Sequence, residues 1–345
     1  MNDLALLTGL LERYSPTGQE AAAVDFLVAQ MRAGGLDAHI DEAGNAIGSA
    51  GAGPRTIVLL GHIDTVPGFI PVTQAGDRLN GRGAVDAKGP LACFAAAAMR
   101  VKDELAGRRV IVIGAVGEEG DSRGAQLIKD RYRPDFTIIG EPSGWEKVTL
   151  GYKGSAWFTY RVRRALAHTA AQAESACEAA VAYWNRVTGW AADRNAGRPK
   201  MFEQVNPTLR SMQSGSDGFI EEADLRFGVR LPPGLSVAEL EAALRALTVD
   251  ADLQMLEGQP AYRGEKNTPL VRAFLAAIRQ AGGVPSFTVK SGTSDMNLVA
   301  PLWGTPCLAY GPGDSSLDHT PHEHILISEY QRGITVLAEA LRRLD

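Results

Sequence analysis

Three short apolar runs, Thr56–Gly61, Val110–Val116 and Phe136–Gly140, each give way to ionisable residues: His62 and Asp64, Glu118 and Glu119, and Glu141. Runs of this length and composition read as strands, and they alternate with amphipathic stretches that read as helices over Asp3–Tyr14, Glu20–Ala33 and Pro90–Val101. Such alternation predicts an α/β layer with a mostly parallel central sheet. Ligands in open α/β sheets gather beyond the carboxyl ends of the strands, so these five ionisable groups are expected on one rim. The glycine-rich GRGAVDAKGP brings Asp86 to the same region, just ahead of a helix with Pro90 expected at its first position.

The order changes between about Gly154 and Gly264. Strand Ala156–Val162, helix Ala170–Thr188, strands Val205–Met212 and Phe219–Arg230, helix Val237–Leu247 and strand Asp252–Glu257 follow as β-α-β-β-α-β, the split ferredoxin-like order. Helix Pro269–Gln280, strand Pro306–Tyr310 and helix Ser328–Arg343 then return to the α/β style. A chain of 345 residues exceeds one ordinary core, so two domains are expected. The first is discontinuous, residues 1–153 and 265–345, with an α+β domain of residues 154–264 inserted into it.

Hydrophobic residues at 45% and charged residues at 22% place the chain among ordinary soluble proteins. The three cysteines lie far apart with no C-x-x-C pair, which excludes a thiolate zinc site and suits a reducing compartment. The start MNDLALL carries an acid where a signal peptide needs basic residues, and no later apolar run approaches the roughly 20 residues of a membrane span. A cytoplasmic protein with no membrane partner is therefore expected. A net charge of -5 argues against nucleic acid as a partner, and GRGAVDAKG lacks the Lys-Ser/Thr ending of a phosphate loop. Charge is unevenly spread, with nine Lys and Arg against four acids from Gly151 to Ser214. A basic face on an acidic body suits an anionic macromolecular partner.

Any metal must use His and carboxylates. Four carboxylates converging without partners would repel and take up protons, so such a cluster makes sense around cations. His with Asp or Glu suits Zn²⁺, with Co²⁺ or Mn²⁺ as substitutes. Singly these residues signal little, because paired acids commonly sit solvated on a surface. Near the C-terminus, LDHTPHEH adds three histidines.

The motifs YSPTGQE, GHIDTVPG, GRGAVDAKG, GEEG, GEPS, RLPPG, SGTSDMN and YGPGDSSLDHTPHE together resemble the M20 metallopeptidase family over nearly the whole chain. The resemblance implies an amide hydrolase with two Zn²⁺ per subunit (Co²⁺ a possible substitute), the inserted domain serving as lid and dimerisation domain of a homodimer. It further implies that His62 and Glu141 bind one metal, Glu119 and His319 the other, and that Asp86 bridges both. Asp64 would hold the second nitrogen of His62, and Glu118 would be the general base. His168 occupies the place of the family's lid histidine, yet Arg164 stands where glycine is usual and no proline follows His168, so a structural histidine stays open. Arg230, Gly292 and Thr293 would receive a substrate carboxylate; on its own Arg230 reads equally as a surface ion pair. Asp217 is either an additional carboxylate facing a cationic substrate side chain or the end of a hairpin turn. With the charge asymmetry, the wording resembles the LysW-lysine/ornithine hydrolase branch, which implies an acidic amino-group carrier protein as substrate. A small-molecule deacylase or carboxypeptidase of the same family is the alternative.

Overall fold

A computed structural model describes residues 2–344 and divides them into two compact units. One is built from the chain up to Gly151, from Gly264–Val289, and from Ser294 onwards; the other from Tyr152–Arg263 with the return segment Lys290–Thr293.

The first unit is organised by a sheet whose centre is parallel. Strand Arg55–His62 pairs in parallel with Arg108–Ala115 on one side and Phe136–Gly140 on the other, and Phe136–Gly140 pairs in parallel with Cys307–Ala309. Strands Asp37–Ile40, Ala46–Gly51 and Lys147–Tyr152 extend it antiparallel. Ile57, Val58, Leu59 and Leu60 are all fully buried, so the central strand is covered on both faces, as a parallel centre requires. Helix Lys88–Val101 is apolar nearly all round and correspondingly buried, packed between the sheet and helix Ile327–Arg342. Its approach to the strand ends depends on glycine: a Cβ at Gly140 would stand 3.0 Å from both the Gly61 Cα and a Phe94 ring carbon.

Several bounds differ from the sequence reading. The first helix is Asp3–Leu11 and stops short of Tyr14. Helix Lys88–Val101 starts two residues before Pro90, which sits in the first turn where a missing N–H leaves no bond unmade. Strands Asp37–Ile40, Ala46–Gly51 and Ser286–Lys290 and helices Arg123–Arg131 and Asp295–Trp303 were not anticipated, being short or weakly periodic.

The second unit is a four-stranded antiparallel sheet in the order Asp252–Gln259, Gly154–Ala165, Ile220–Leu231, Asn206–Ser216. Numbered along the chain this is 4-1-3-2, the ferredoxin-like order. Helices Ala176–Asn195 and Val237–Ala246 cover one face, burying Phe158, Tyr160, Tyr183 and Phe227, with the two tyrosine rings stacked 4.0 Å apart. The first helix begins at Ala176 and not at Ala170, because Ser175 and Glu178 form a capping box that fixes its start there.

Pairing of Gly154–Ala165 with Ile220–Leu231 also corrects the charge reading. Arg161 meets Asp224 at 2.6 Å, Arg163 meets Glu222 at 3.2 Å, and Arg164 meets Glu174 at 3.5 Å. Two of these acids lie beyond the basic stretch in sequence but opposite it in the sheet. The whole unit carries fourteen Lys and Arg against thirteen Asp and Glu, so the excess is a property of a segment and not of the unit. Among the described residues, no helix is long and apolar enough to cross a membrane.

Lys88 is fully buried, and its Nζ donates to the carbonyls of Leu10 at 3.1 Å and Arg13 at 2.8 Å, anchoring the end of the first helix. Burial lowers its amine to about 7, against the raising influence of Glu323 and Asp64. Replacing Lys88 by Met takes this donor from the Arg13 carbonyl and leaves the Leu10 carbonyl to the Arg13 N–H at 3.2 Å, and is expected to lower the unfolding free energy by about 1–3 kcal/mol, measured by urea denaturation of metal-free protein. An unchanged midpoint would mean that water takes over both acceptors.

Candidate metal centre

His62 ends its strand, almost completely buried, and its Nε2 lies 3.1 Å from Oδ1 of Asp86. The other oxygen, Oδ2, lies 3.0 Å from Nε2 of His319, which also meets Oε1 of Glu119 at 2.9 Å. Ligand atoms of His62, Asp86 and Glu141 lie within 4.8 Å of one another, and those of Asp86, Glu119 and His319 do likewise; His62, Glu118 and Glu119 form a third such grouping. Asp86 thus belongs to two donor sets, one through each oxygen. The parallel strands explain the convergence, since His62, the Glu118–Glu119 turn and Glu141 all follow the carboxyl ends of neighbouring strands. His319 adopts a positive φ of 61°, uncommon for a residue with a Cβ.

Asp64 sits behind the centre, fully buried. Its carboxylate accepts from the Thr17 hydroxyl at 2.7 Å and from the main-chain N–H groups of Glu118 at 3.0 Å and Glu119 at 3.1 Å. Nδ1 of His62 is 3.0 Å from the Asp64 carbonyl oxygen and 3.7 Å from its carboxylate. The hydrogen bond to the imidazole therefore falls to the main chain, while the carboxylate holds the turn that carries both glutamates.

Other supporting residues were not singled out in the sequence. Buried Glu20 pairs with Arg123 at 2.8 Å and accepts from the Gly18 N–H, tying SPTGQE to GEEGDSRG. Buried Asn45 accepts from the Val116 N–H and donates to the Gly124 carbonyl, bracing the same turn. Asp295, at the start of helix Asp295–Trp303, is buried with Oδ1 unpaired. Only the motif words containing some of these residues were visible; their pairing across the chain has no local signal.

The electrostatics follow from crowding. Burial, reinforced by neighbouring carboxylates, pushes the acids of Glu118 and Glu141 well above the usual range, and burial pushes Asp295 up to about 7. Burial works against charge on Asp86 too, yet hydrogen bonds from His319 and His62 hold its carboxyl well below the usual range. His62 is raised despite burial by Asp64 and Asp86. Asp86 and Glu119 hold His319 up to about 10. Both kinds of shift favour proton uptake by the metal-free cluster, and a divalent cation would compete with it. The donor set fits such an ion, being histidine nitrogen and carboxylate oxygen with no thiolate.

The substrate-side candidates fall in the second unit. Arg230 donates from Nη1 to the Thr293 hydroxyl at 3.2 Å and has no carboxylate partner among the described residues. Burial, together with nearby Arg210, lowers its pKa. Gly292 faces open space. His168 is exposed, and its Nδ1 accepts from the Ala170 N–H at 3.0 Å. Asp217 lies at a hairpin tip, where Oδ1 accepts from the N–H groups of Phe219 at 2.9 Å and Ile220 at 2.8 Å, so its carboxylate serves the turn.

Residues 58–343 match the model of peptidase family M20/M25/M40. The chain is 47% identical over 339 residues to the LysW-lysine hydrolase of Deinococcus radiodurans, across 96% of this chain and 93% of that one. It is 40% identical to a putative LysW-lysine/LysW-ornithine hydrolase of Thermococcus kodakarensis, across 98% and 91%. The fold is similar to that of an M20 family metallo-carboxypeptidase from Sulfolobus solfataricus, with a TM-score of 0.78 at 17% identity over 99% of each chain.

Metal uptake has a testable pH dependence. A raised histidine pKa means that the metal-free centre holds protons a ligand must give up, so the apparent Zn²⁺ affinity should climb with pH until His319 loses its proton at about 10. In metal-free protein the sign for stability is opposite: the His319 contribution is full below 6.5 and fades as pH rises through about 10. Zn²⁺ titration in weakly buffered solution should release protons, and pH-independent uptake without release would remove the histidines from the ligand set.

Proposed function

The chain belongs to the M20/M25/M40 peptidase family, and we propose that it is a two-zinc amidohydrolase releasing lysine or ornithine from an acidic, LysW-like amino-group carrier protein. The scissile bond in this reading is the amide between the carrier's C-terminal glutamate and the amino acid. The observation that carries the chemistry is Asp86, whose two oxygens face two donor sets while Glu118 stands beside them. The choice of substrate is supported by the extent of likeness to the Deinococcus radiodurans hydrolase.

His62 and Glu141 would hold one ion, Glu119 and His319 the other, with Asp86 shared. When bound, Zn²⁺ or its substitute Co²⁺ polarises the amide carbonyl and makes a water acidic enough to attack it. Glu118 would take a proton from the attacking water and return it to the leaving amine; its burial favours the protonated form needed for the second half of this transfer. Asp64 keeps Glu118 and Glu119 in place through their N–H groups. Arg230 and Thr293 suit the free carboxylate of the amino acid, the guanidinium offering a planar fork with no acid already on it. In this reading the ferredoxin-like unit serves as lid and dimerisation domain of a cytoplasmic homodimer, and His168, exposed on that unit, would be the group that stabilises the developing oxyanion.

Because the second unit is nearly neutral, attraction of an acidic carrier would fall to arginines with no carboxylate partner among the described residues, Arg210, Arg226 and Arg230 among them. Arg226 lies over the Trp157 ring at 5.5 Å.

Glu118→Gln should retain both metals and cut turnover by about 10²–10⁴, the usual share of acid–base catalysis. Metal analysis beside steady-state rates checks this, and near-normal turnover would remove Glu118 from the mechanism. Metal-loaded protein offered carrier-bound lysine, carrier-bound ornithine and a small N-acyl amino acid should act fastest on a carrier conjugate. Reversing Arg210 and Arg226 to Glu should raise KM for the carrier and flatten its salt dependence, with kcat for the small substrate unchanged. Equal salt slopes for carrier and small substrate in the parent protein would favour the small-molecule deacylase.

A further inference from the structure

Glu323 and Arg82 form an ion pair at 2.8 Å in which both side chains are buried, 1% and 6% exposed. Each group of the pair also holds main chain. Oε1 of Glu323 accepts from the N–H groups of Val85 at 2.9 Å and of Asp86 at 3.0 Å. Nη1 of Arg82, besides meeting Glu323 Oε2, donates to the carbonyl of Thr320 at 3.2 Å, and Nε donates to the carbonyl of Gly68 at 2.9 Å. Three separate segments therefore meet on one pair of side chains: the loop after Asp64, the loop presenting Asp86, and the turn presenting His319.

The chemistry of the pair makes little sense as stabilisation alone. A buried ion pair often contributes no more than an apolar pair of the same shape, and a further carboxylate close to an acidic cluster adds to the repulsion unless Arg82 neutralises it. What an apolar pair could not do is accept two adjacent N–H groups on one loop while binding a carbonyl next to His319. Resting on the reading of this centre as a two-metal site, we propose that the Arg82–Glu323 pair is the positioning element that sets Asp86 and His319 at the separation at which they share one cation. Metal retention by Asp86, Glu119 and His319 then depends on residues that touch no metal, as it commonly does on groups behind a ligand.

The pair predicts a loss confined to one site. Metal binding is followed by competition with a chromophoric chelator in the parent, in His319→Ala, which marks the site in question, and in the double variant Arg82→Met with Glu323→Gln. The double variant removes both charges but keeps an amide oxygen for Val85 and Asp86, so no ion is left buried alone. It should lose about 10- to 100-fold in Zn²⁺ affinity at the site that His319→Ala abolishes, and stay within threefold of the parent at the other, while the metal-free protein still unfolds cooperatively at a lower denaturant midpoint because the Gly68 and Thr320 carbonyls lose their donor. Should the double variant not fold, Glu323→Gln alone keeps the Arg82 contacts with Gly68 and Thr320 and should show a smaller loss at the same site. Parent-like affinity at both sites in a folded variant, or equal losses at both, overturns the positioning role. A parent protein that takes up no second Zn²⁺ instead overturns the two-metal reading beneath it.

Discussion

Asp86 keeps its negative charge in a place where burial works against it, and it does so because an imidazole meets each of its two oxygens. The rest of the centre is arranged around that necessity. The shifts of Glu118 and Glu141, and those of His62 and His319, all favour proton uptake, and the outcome is a cluster poised to exchange hydrogen ions for metal ions. None of this would arise on a twisted antiparallel surface with one wet face. It follows from parallel strands side by side, whose carboxyl ends open onto the same edge.

The carboxylates behind the centre do different work from those in it. Asp64, Glu20 and Glu323 spend their oxygens on main-chain N–H groups, a hydroxyl or an arginine. Each converts a loop, which on its own would sample many conformations, into a fixed mount for a functional side chain. Loops held in this way can carry a site with the precision of a strand, and the positive φ of His319 persists because its surroundings determine it.

The rim was legible in the sequence because a strand and the residue after it are neighbours in the chain: His62, Glu118, Glu119 and Glu141 follow directly from where apolar runs stop. The order of elements likewise announced the inserted unit, whose strands do take the ferredoxin-like order. What one sequence could not supply was anything set by pairing at a distance. The acids opposite Arg161 and Arg163 arrive some sixty residues later, and the Arg82–Glu323 contact spans 241 positions. Asp64 was read for its carboxylate's hold on His62, whereas the main-chain carbonyl takes that bond and the carboxylate turns to the Glu118 turn. The early start assigned to the helix of the second unit reflects alanines at 170, 171 and 173, outweighed by the cap that Ser175 and Glu178 form together.

The inserted unit also sets a timetable. Its helices begin at self-contained Ser-x-x-Glu boxes and, apart from Lys290–Thr293, it is complete once Arg263 has been made. Strand Phe136–Gly140, by contrast, waits for Cys307–Ala309, and Asp86 waits for His319 and Glu323. On a ribosome the ferredoxin-like unit can therefore reach its native state while the sheet that precedes it still lacks a neighbour. The candidate rim is thus the last part of the molecule to become whole, finished by the same C-terminal stretch that brings His319.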